Sequence, residues 1–267
     1  MSLTPELRAP SSVYGPVHSW RWGASLGVDL LLSPSCCSFR CVYCQLGEIE
    51  DPTCERTVRV PTSRVIRDLE AADWSRADVV TFSGSGEPTL ASNLGEAILE
   101  VRRVTSRPVV VLTNAMHLDD PQVRAELSLA DEVCCKLDAI DDSSLARINR
   151  PVRETRAESI IEGIVSLRAS WSGKLSLQIM LLPGTGSSAT DFAPAIAHIA
   201  PDYVQLNVPS RPVPPRHTLD TRGAHDAFGA ERAWRILDFD EVEIARSELE
   251  ARTGIRIIAP PRESHAR

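Results

Sequence analysis

Between residues 25 and 208 short apolar runs alternate with stretches of helical periodicity, and this alternation limits the fold more than any other feature. "SLGVDLLL" (25–32), "DVVTFS" (78–83), "PVVVLTN" (108–114), "EVCCKLDA" (132–139), "LSLQIMLL" (175–182) and "YVQLNV" (203–208) read as buried strands, because short β-branched runs bounded by turn residues suit a pleated, covered surface. Between them, Val65, Ile66 and Leu69 fall on one face of a helix over 62–73 with Thr62 as its N-cap. Leu94, Ala97, Ile98 and Val101 follow the i, i+3, i+4, i+7 rule, and helices are also expected near 121–129, 141–149, 157–169 and 190–199.

Parallel strands need crossover helices, so the pattern predicts an α/β chain of about six βα units. A partial (β/α)6 TIM-like barrel and a doubly wound sheet both satisfy it. In either, ligands bind at the loops that follow strand C-termini. The expected organisation is an N-terminal extension (1–24), a core barrel (25–210) and a small α/β C-terminal segment packed on the core (211–267). That last segment begins in a proline-rich arm (209–223) and carries a helix near 240–252 and a small strand in "IRIIA". Trp20 and Trp22, flanking Arg21, are expected to cover the bottom or edge of the barrel.

Composition narrows the setting. Apolar residues are 43% and charged residues 24% of the chain, with no apolar run long enough to cross a bilayer. The N-terminus lacks a secretory pattern, so a soluble, cytoplasmic protein in a reducing compartment is expected, without a membrane partner. A net charge of -7 argues against a broad nucleic-acid surface. The only lysines are Lys136 and Lys174.

"SCCSFRCVYCQLG" (35–47) holds four of the seven cysteines. In a reducing compartment such clustering indicates metal binding or catalysis rather than disulfides. Cys37, Cys41 and Cys44 form C-x3-C-x2-C. Three thiolates can hold three irons of a 4Fe-4S cube and leave the fourth open, whereas a complete protein set is four cysteines. A structural zinc site needs four ligands, usually as two spaced pairs, and no second pair accompanies this loop. A ferredoxin run would be C-x2-C-x2-C with a proline after its last cysteine, but Gln45 follows Cys44. Iron-sulfur, zinc and inert packing are the three readings the spacing leaves. Cys36 neighbours a ligand; Cys54, Cys134 and Cys135 form no spaced set, and packing is the plain reading for them.

"FSGSGEPTL" (82–90) follows the second expected strand. Its glycines let backbone approach a ligand closely, and a carboxylate or carbonyl suits an ammonium group. The plainer reading is a strand-to-helix turn with Glu87 near a helix start.

C-x3-C-x2-C with Tyr43 before its last cysteine resembles the signature of the radical S-adenosylmethionine (radical SAM) enzymes, and "FSGSGEPTL" is similar to that family's GGEP stretch. The resemblance implies a 4Fe-4S cluster on Cys37, Cys41 and Cys44 and S-adenosylmethionine (SAM) as cofactors. It implies an oxidoreductase-type reaction in which the reduced cluster cleaves SAM and the resulting 5'-deoxyadenosyl radical abstracts hydrogen from a substrate. Gly84, Ser85, Gly86 and Glu87 would then bind the methionine amino group. Asn114, Lys136 and Asp138 would reach the ribose or methionine end, Arg150 would clamp the methionine carboxylate, and Gln178 would face the adenine. For each of these the plain reading is a solvated or structural role. Cys134 or Cys135 could donate a hydrogen atom to a substrate radical; adjacent strand residues face opposite ways, so at most one lines the cavity.

"YGPVHSWRWGASLGVDLLLSPSCCSFRCVYCQLG", "LDAIDDSSLARINRP" and "VQLNVPSRP" extend the resemblance over most of residues 14–212 to the radical SAM group related to wyosine-base tRNA synthases. The chain departs from the tRNA-modifying branch in lacking a cysteine series ahead of the motif. The substrate implied is therefore open among tRNA, protein and small molecule. An external electron donor such as a flavodoxin or ferredoxin is implied as partner. A non-catalytic iron-sulfur or zinc binding protein is the alternative from another class.

Overall fold

The computed structural model describes residues 10–183, 188–210 and 236–262, and between the last two Val213, Pro214, Arg216, His217, Leu219 and Arg222. Residues 1–9 of the expected N-terminal extension and part of the proline-rich arm lie outside the described residues.

The chain opens with β1 (Val13–Ser19) and β2 (Gly23–Val28), followed by the short β3 (Cys36–Cys37) and β4 (Asp51–Pro52). Then come α1 (Thr62–Glu70), β5 (Val79–Phe82), α2 (Leu94–Thr105), β6 (Val109–Thr113), α3 (Pro121–Leu127) and β7 (Glu132–Lys136). They are followed by α4 (Asp142–Ile148), α5 (Ala157–Ser170), β8 (Lys174–Met180), α6 (Ala193–Ile199), β9 (Tyr203–Asn207), α7 (Phe239–Thr253) and β10 (Ile257–Ile258). The main sheet runs β1-β2-β5-β6-β7-β8-β9-β10. All neighbouring pairs from β2 to β10 are parallel, and β1 alone is antiparallel. Spatial order follows chain order, as repeated βα units require, and the sheet curls into a half-barrel.

In the main sheet β1 goes beyond the six core strands and the small strand in "IRIIA" that were expected. Residues 13–19, read as part of an extension, pair with β2 as an edge hairpin. Pro16 hid this strand, because proline inside a run argues against a central strand, and here it sits at an edge beside an irregular register between Tyr14 and Val17. Tyr14 seals the pairing: a β-carbon on Gly27 would lie 2.1 Å from its Cζ. β10 pairs with β9 through only two residues. Helix α1 also differs in its cap. Pro61 occupies the N-cap without a side-chain bond, and Thr62 inside the helix accepts a hydrogen bond from Asn93 Nδ2 at 3.0 Å.

Alternation along the strands divides the sheet. Leu26, Phe82, Val111, Val133, Leu177 and Leu206 join the helices' Val65, Leu69, Ile98, Leu127, Ile164 and Leu167 in one apolar layer. Burial at about 1.5–3 kcal/mol for each such side chain makes this layer the main stabilising mass. The opposite, concave face is polar. Ser25 meets Thr81 (2.9 Å), Ser176 donates to Glu132 (2.8 Å) and Gln205 donates to the Tyr203 hydroxyl (3.1 Å). Trp20 and Trp22 lie at the turn between β1 and β2. Between them Arg21 reaches across to Gln205 on β9 (3.3 Å), its guanidinium 4.4 Å from the Trp22 ring centroid. Among the described residues no helix is long and apolar enough to cross a membrane.

Candidate cofactor site

The cysteine loop follows β2 and the glycine loop follows β5, its neighbour in the sheet. Two backbone bonds clasp them together: Cys36 N–H donates to Ser85 O (2.8 Å), and Glu87 N–H donates to Cys36 O (3.0 Å). The approach leaves no room for side chains on the glycine loop. A β-carbon on Gly86 (φ +150°) would lie 1.6 Å from the Cys36 carbonyl oxygen, and one on Gly84 (φ +137°) 2.5 Å from Asp29 Cγ. Cys36 contributes its backbone to this clasp. Its side chain packs with Leu31 and Leu90, and burial pushes its thiol up to about 11.

Cys37, Cys41 and Cys44 sit on the far side of this clasp, partly exposed at the surface yet surrounded by protein. Loss of water raises all three thiols, Cys37 well above its ordinary range and Cys41 to about 12; the neighbouring Glu87 adds at Cys37 and Asp138 at Cys41. Donors nevertheless point at two of the sulfurs. Phe39 N–H lies 3.4 Å and Asn114 Nδ2 3.7 Å from Cys37 Sγ, and Asn149 Nδ2 lies 3.4 Å from Cys41 Sγ. Such N–H donors stabilise thiolate and cluster sulfur charge. Among the described residues no three His, Cys, Asp or Glu side chains converge as ligands of a single metal ion.

Glu87 is buried and heavily occupied. It caps the 3-10 turn Pro88–Leu90, accepting from Thr89 N (3.1 Å) and Thr89 Oγ1 (2.8 Å), and it accepts from Thr113 Oγ1 (2.7 Å) at the end of β6 and from Asn114 N (2.6 Å) just after it. Burial raises its carboxyl, and these donors oppose the rise. The plain strand-to-helix reading of this residue therefore describes its side chain well. Asn114 links the whole, with its backbone on Glu87, its amide on Cys37 and also on Ser38 (2.9 Å).

A second polar group lies at the ends of β7 and β8. Lys136 is 3.3 Å from Asp138 Oδ1, 3.4 Å from Gln178 Oε1 and 5.0 Å from the Tyr43 ring centroid. Asp138 is almost fully spoken for: it accepts from the Tyr43 hydroxyl, from Asn149 Nδ2 (2.9 Å) and from Met180 N (2.9 Å). Its placement is that of a post anchoring the cysteine loop through Tyr43. Arg150 is exposed, and what it brings to the loop is its carbonyl, 3.3 Å from Arg40 N.

Cys134 and Cys135 separate as alternation requires. Cys135 lies in the apolar layer under the helices, whereas Cys134 faces the concave side with Ser176 and Arg21. Three residues of the site carried no sequence signal. Asn149 adjoins the expected Arg150; Asp29 is a lone acid in an apolar run; Ser38 lies inside the cysteine motif. Asp29 holds the glycine loop, accepting from Ser85 Oγ (2.7 Å) and Ser85 N (3.2 Å). A buried acid that must find donors is the only hint the sequence gave of it.

Residues 32–188 match the family model described as the radical SAM superfamily, and the chain belongs to that superfamily. Within it, the chain belongs with the UPF0026 proteins. It is 47% identical over 216 residues to a UPF0026 protein of Synechocystis sp., covering 80% of this chain and 81% of that one. To a UPF0026 protein of Methanocaldococcus jannaschii it is 32% identical over 206 residues, covering 74% of this chain and 64% of the relative. Among solved structures, TYW1 with a lysine-pyruvate adduct bound superimposes with TM-score 0.67 at 16% identity, covering 90% of this chain and 78% of that one. SuiB of Streptococcus suis bound to S-adenosylmethionine gives TM-score 0.61 at 14% identity, covering 87% and 50%. At these identities the likeness is one of fold.

Proposed function

We propose that the chain is a radical SAM enzyme in which Cys37, Cys41 and Cys44 hold a 4Fe-4S cluster and the Gly84–Glu87 loop holds SAM beside it. The observation that carries this reading is the clasp between Cys36 and the glycine loop, which holds the C-x3-C-x2-C loop against a stretch whose glycines admit close backbone approach. The donor set fits the group. Three thiols raised by burial bind when metal displaces their protons, and Asn114 and Asn149 already aim N–H groups at the sulfurs. When bound, cluster and SAM together supply reductive cleavage of SAM and hydrogen-atom abstraction from a substrate.

This chain's residues position and shield that chemistry. Tyr43, held by Asp138, covers the loop on the side of Lys136 and Gln178. Cys134 is the strand thiol on the concave side. The reducing electron comes from an external carrier of the flavodoxin or ferredoxin kind. The substrate class stays open among tRNA, protein and small molecule, because 16% identity to TYW1 carries the fold alone.

Anaerobic reconstitution with iron and sulfide, followed by dithionite and SAM, tests the reading: 5'-deoxyadenosine is expected from the wild-type chain. The C37A/C41A/C44A variant is expected to lose both iron and the visible charge-transfer absorption. Iron retained by that variant would end the cluster assignment. A stable reduced cluster indifferent to SAM would mark a non-catalytic iron-sulfur protein.

A further inference from the structure

Arg222, in the C-terminal part of the chain, meets the Asp29 carboxylate that holds the glycine loop. Arg222 Nη1 lies 3.1 Å from Asp29 Oδ2, and the two side chains are only 7% and 1% exposed. The same Asp29 oxygen accepts from Ser85 Oγ (2.7 Å) and Ser85 N (3.2 Å), while the other oxygen accepts from Leu31 N and Leu32 N (3.0 Å each). Asp29 therefore joins the start of the cysteine loop to the centre of the glycine loop, and Arg222 is the charge that neutralises it. Arg222 is itself held. Its Nη1 also donates to Ser11 O (3.1 Å), its Nε donates to Leu219 O (3.0 Å), and its guanidinium lies 5.0 Å from the Tyr14 ring centroid.

We infer that Arg222 is a positioning residue for SAM, acting through Asp29 on the Ser85 backbone. The inference rests on the reading of Gly84–Glu87 as the SAM-binding loop. A carboxylate buried among five donors keeps its geometry only while its charge is compensated. Without Arg222 the buried Asp29 carboxylate is left without its counter-charge, and its hold on Ser85 loosens. The same segment touches the cysteine loop at two further points. His217 Nδ1 lies 3.3 Å from Glu50 Oε2, and a β-carbon on Gly47 would lie 2.5 Å from the Pro214 carbonyl oxygen. Pro214, His217 and Arg222 thus lie against the two loops of the proposed cofactor site.

The test uses the full chain, reconstituted anaerobically, with dithionite as reductant. In R222M the iron content is expected to equal that of the wild type, while the KM for SAM in 5'-deoxyadenosine release rises by about tenfold or more. The kcat at saturating SAM is expected to stay within about twofold. D29N/R222M, which removes the uncompensated charge, is expected to recover much of the lost affinity. If R222M does not fold, S85A tests the same route by removing the hydroxyl that Asp29 accepts, and a raised KM is expected there too. An unchanged KM in R222M or in S85A, a double variant no better than R222M, or loss of iron together with SAM affinity would overturn the inference. A wild-type chain that holds its cluster but never cleaves SAM would instead overturn the reading of the site beneath it.

Discussion

Cys36 and Gly86 meet closer than two residues with side chains can: the Cys36 carbonyl oxygen lies 1.6 Å from the point a β-carbon on Gly86 would occupy. The contact lets Cys36 bond the glycine loop on both sides, through Ser85 O and Glu87 N. G86A should therefore force the two loops apart and strain the backbone at φ +150°. A stability loss of at least about 2 kcal/mol is expected, together with reduced iron after reconstitution. Full iron content with an unchanged melting temperature would show that the clasp is dispensable.

Asp138 carries the opposite wall. Removing its carboxylate in D138A leaves the Tyr43 hydroxyl, Asn149 Nδ2 and Met180 N–H without their acceptor and Lys136 without its partner. The expected cost is about 2–4 kcal/mol, read from urea denaturation. D138N, which keeps a carbonyl acceptor, should recover part of it. Equal stabilities for D138A and the wild type would refute the anchoring role.

Adjacent strand thiols should answer oppositely to the same substitution. C135S places a hydroxyl in the apolar layer and is expected to cost about 1–3 kcal/mol. C134S places it on the concave face beside Ser176, where a partner exists, and should cost under about 1 kcal/mol. The comparison is a pair of denaturation curves; a reversed order would mean the faces have been exchanged.

His117 makes stability depend on pH. Burial lowers its folded value from 6.5 to about 4; its Nδ1 lies 3.2 Å from Thr89 Oγ1, and its buried Nε2 has no hydrogen-bond partner among the described residues. The folded chain thus holds the ring neutral where the unfolded chain protonates it. Its contribution is fully present above pH 6.5, is lost progressively as pH falls toward about 4, and levels off below. The total is about 3 kcal/mol. Subtracting the pH profile of H117N from that of the wild type should isolate this slope, and a flat difference between pH 4 and 6.5 would contradict it.

Much of the fold was legible because its signals are local. The six central strands appear within a few residues of their expected bounds, since β-branched runs and flanking turn residues act on neighbouring positions. β1 escaped because Pro16 sits inside it, whereas the two-residue β10 falls within the expected "IRIIA". In the candidate site, the cysteine spacing and the glycines of 84–86 were visible as a motif. Arg150, expected to clamp a ligand, is exposed, and its neighbour Asn149 faces the thiols instead. A one-residue difference in facing is set by how α4 ends against the cysteine loop, which no local pattern encodes.

By itself, then, the sequence determined the βα order, the three spaced thiols and the glycines that follow the second central strand. Only the tertiary structure decided which of Cys134 and Cys135 meets the concave face, which donors reach the sulfurs, and that Asp29 finds its counter-charge 193 positions away in Arg222. Periodicity reports what each residue does within its own turn or pleat. The pairing of a buried carboxylate with a distant guanidinium follows from burial cost, which exists only once the chain has closed around both.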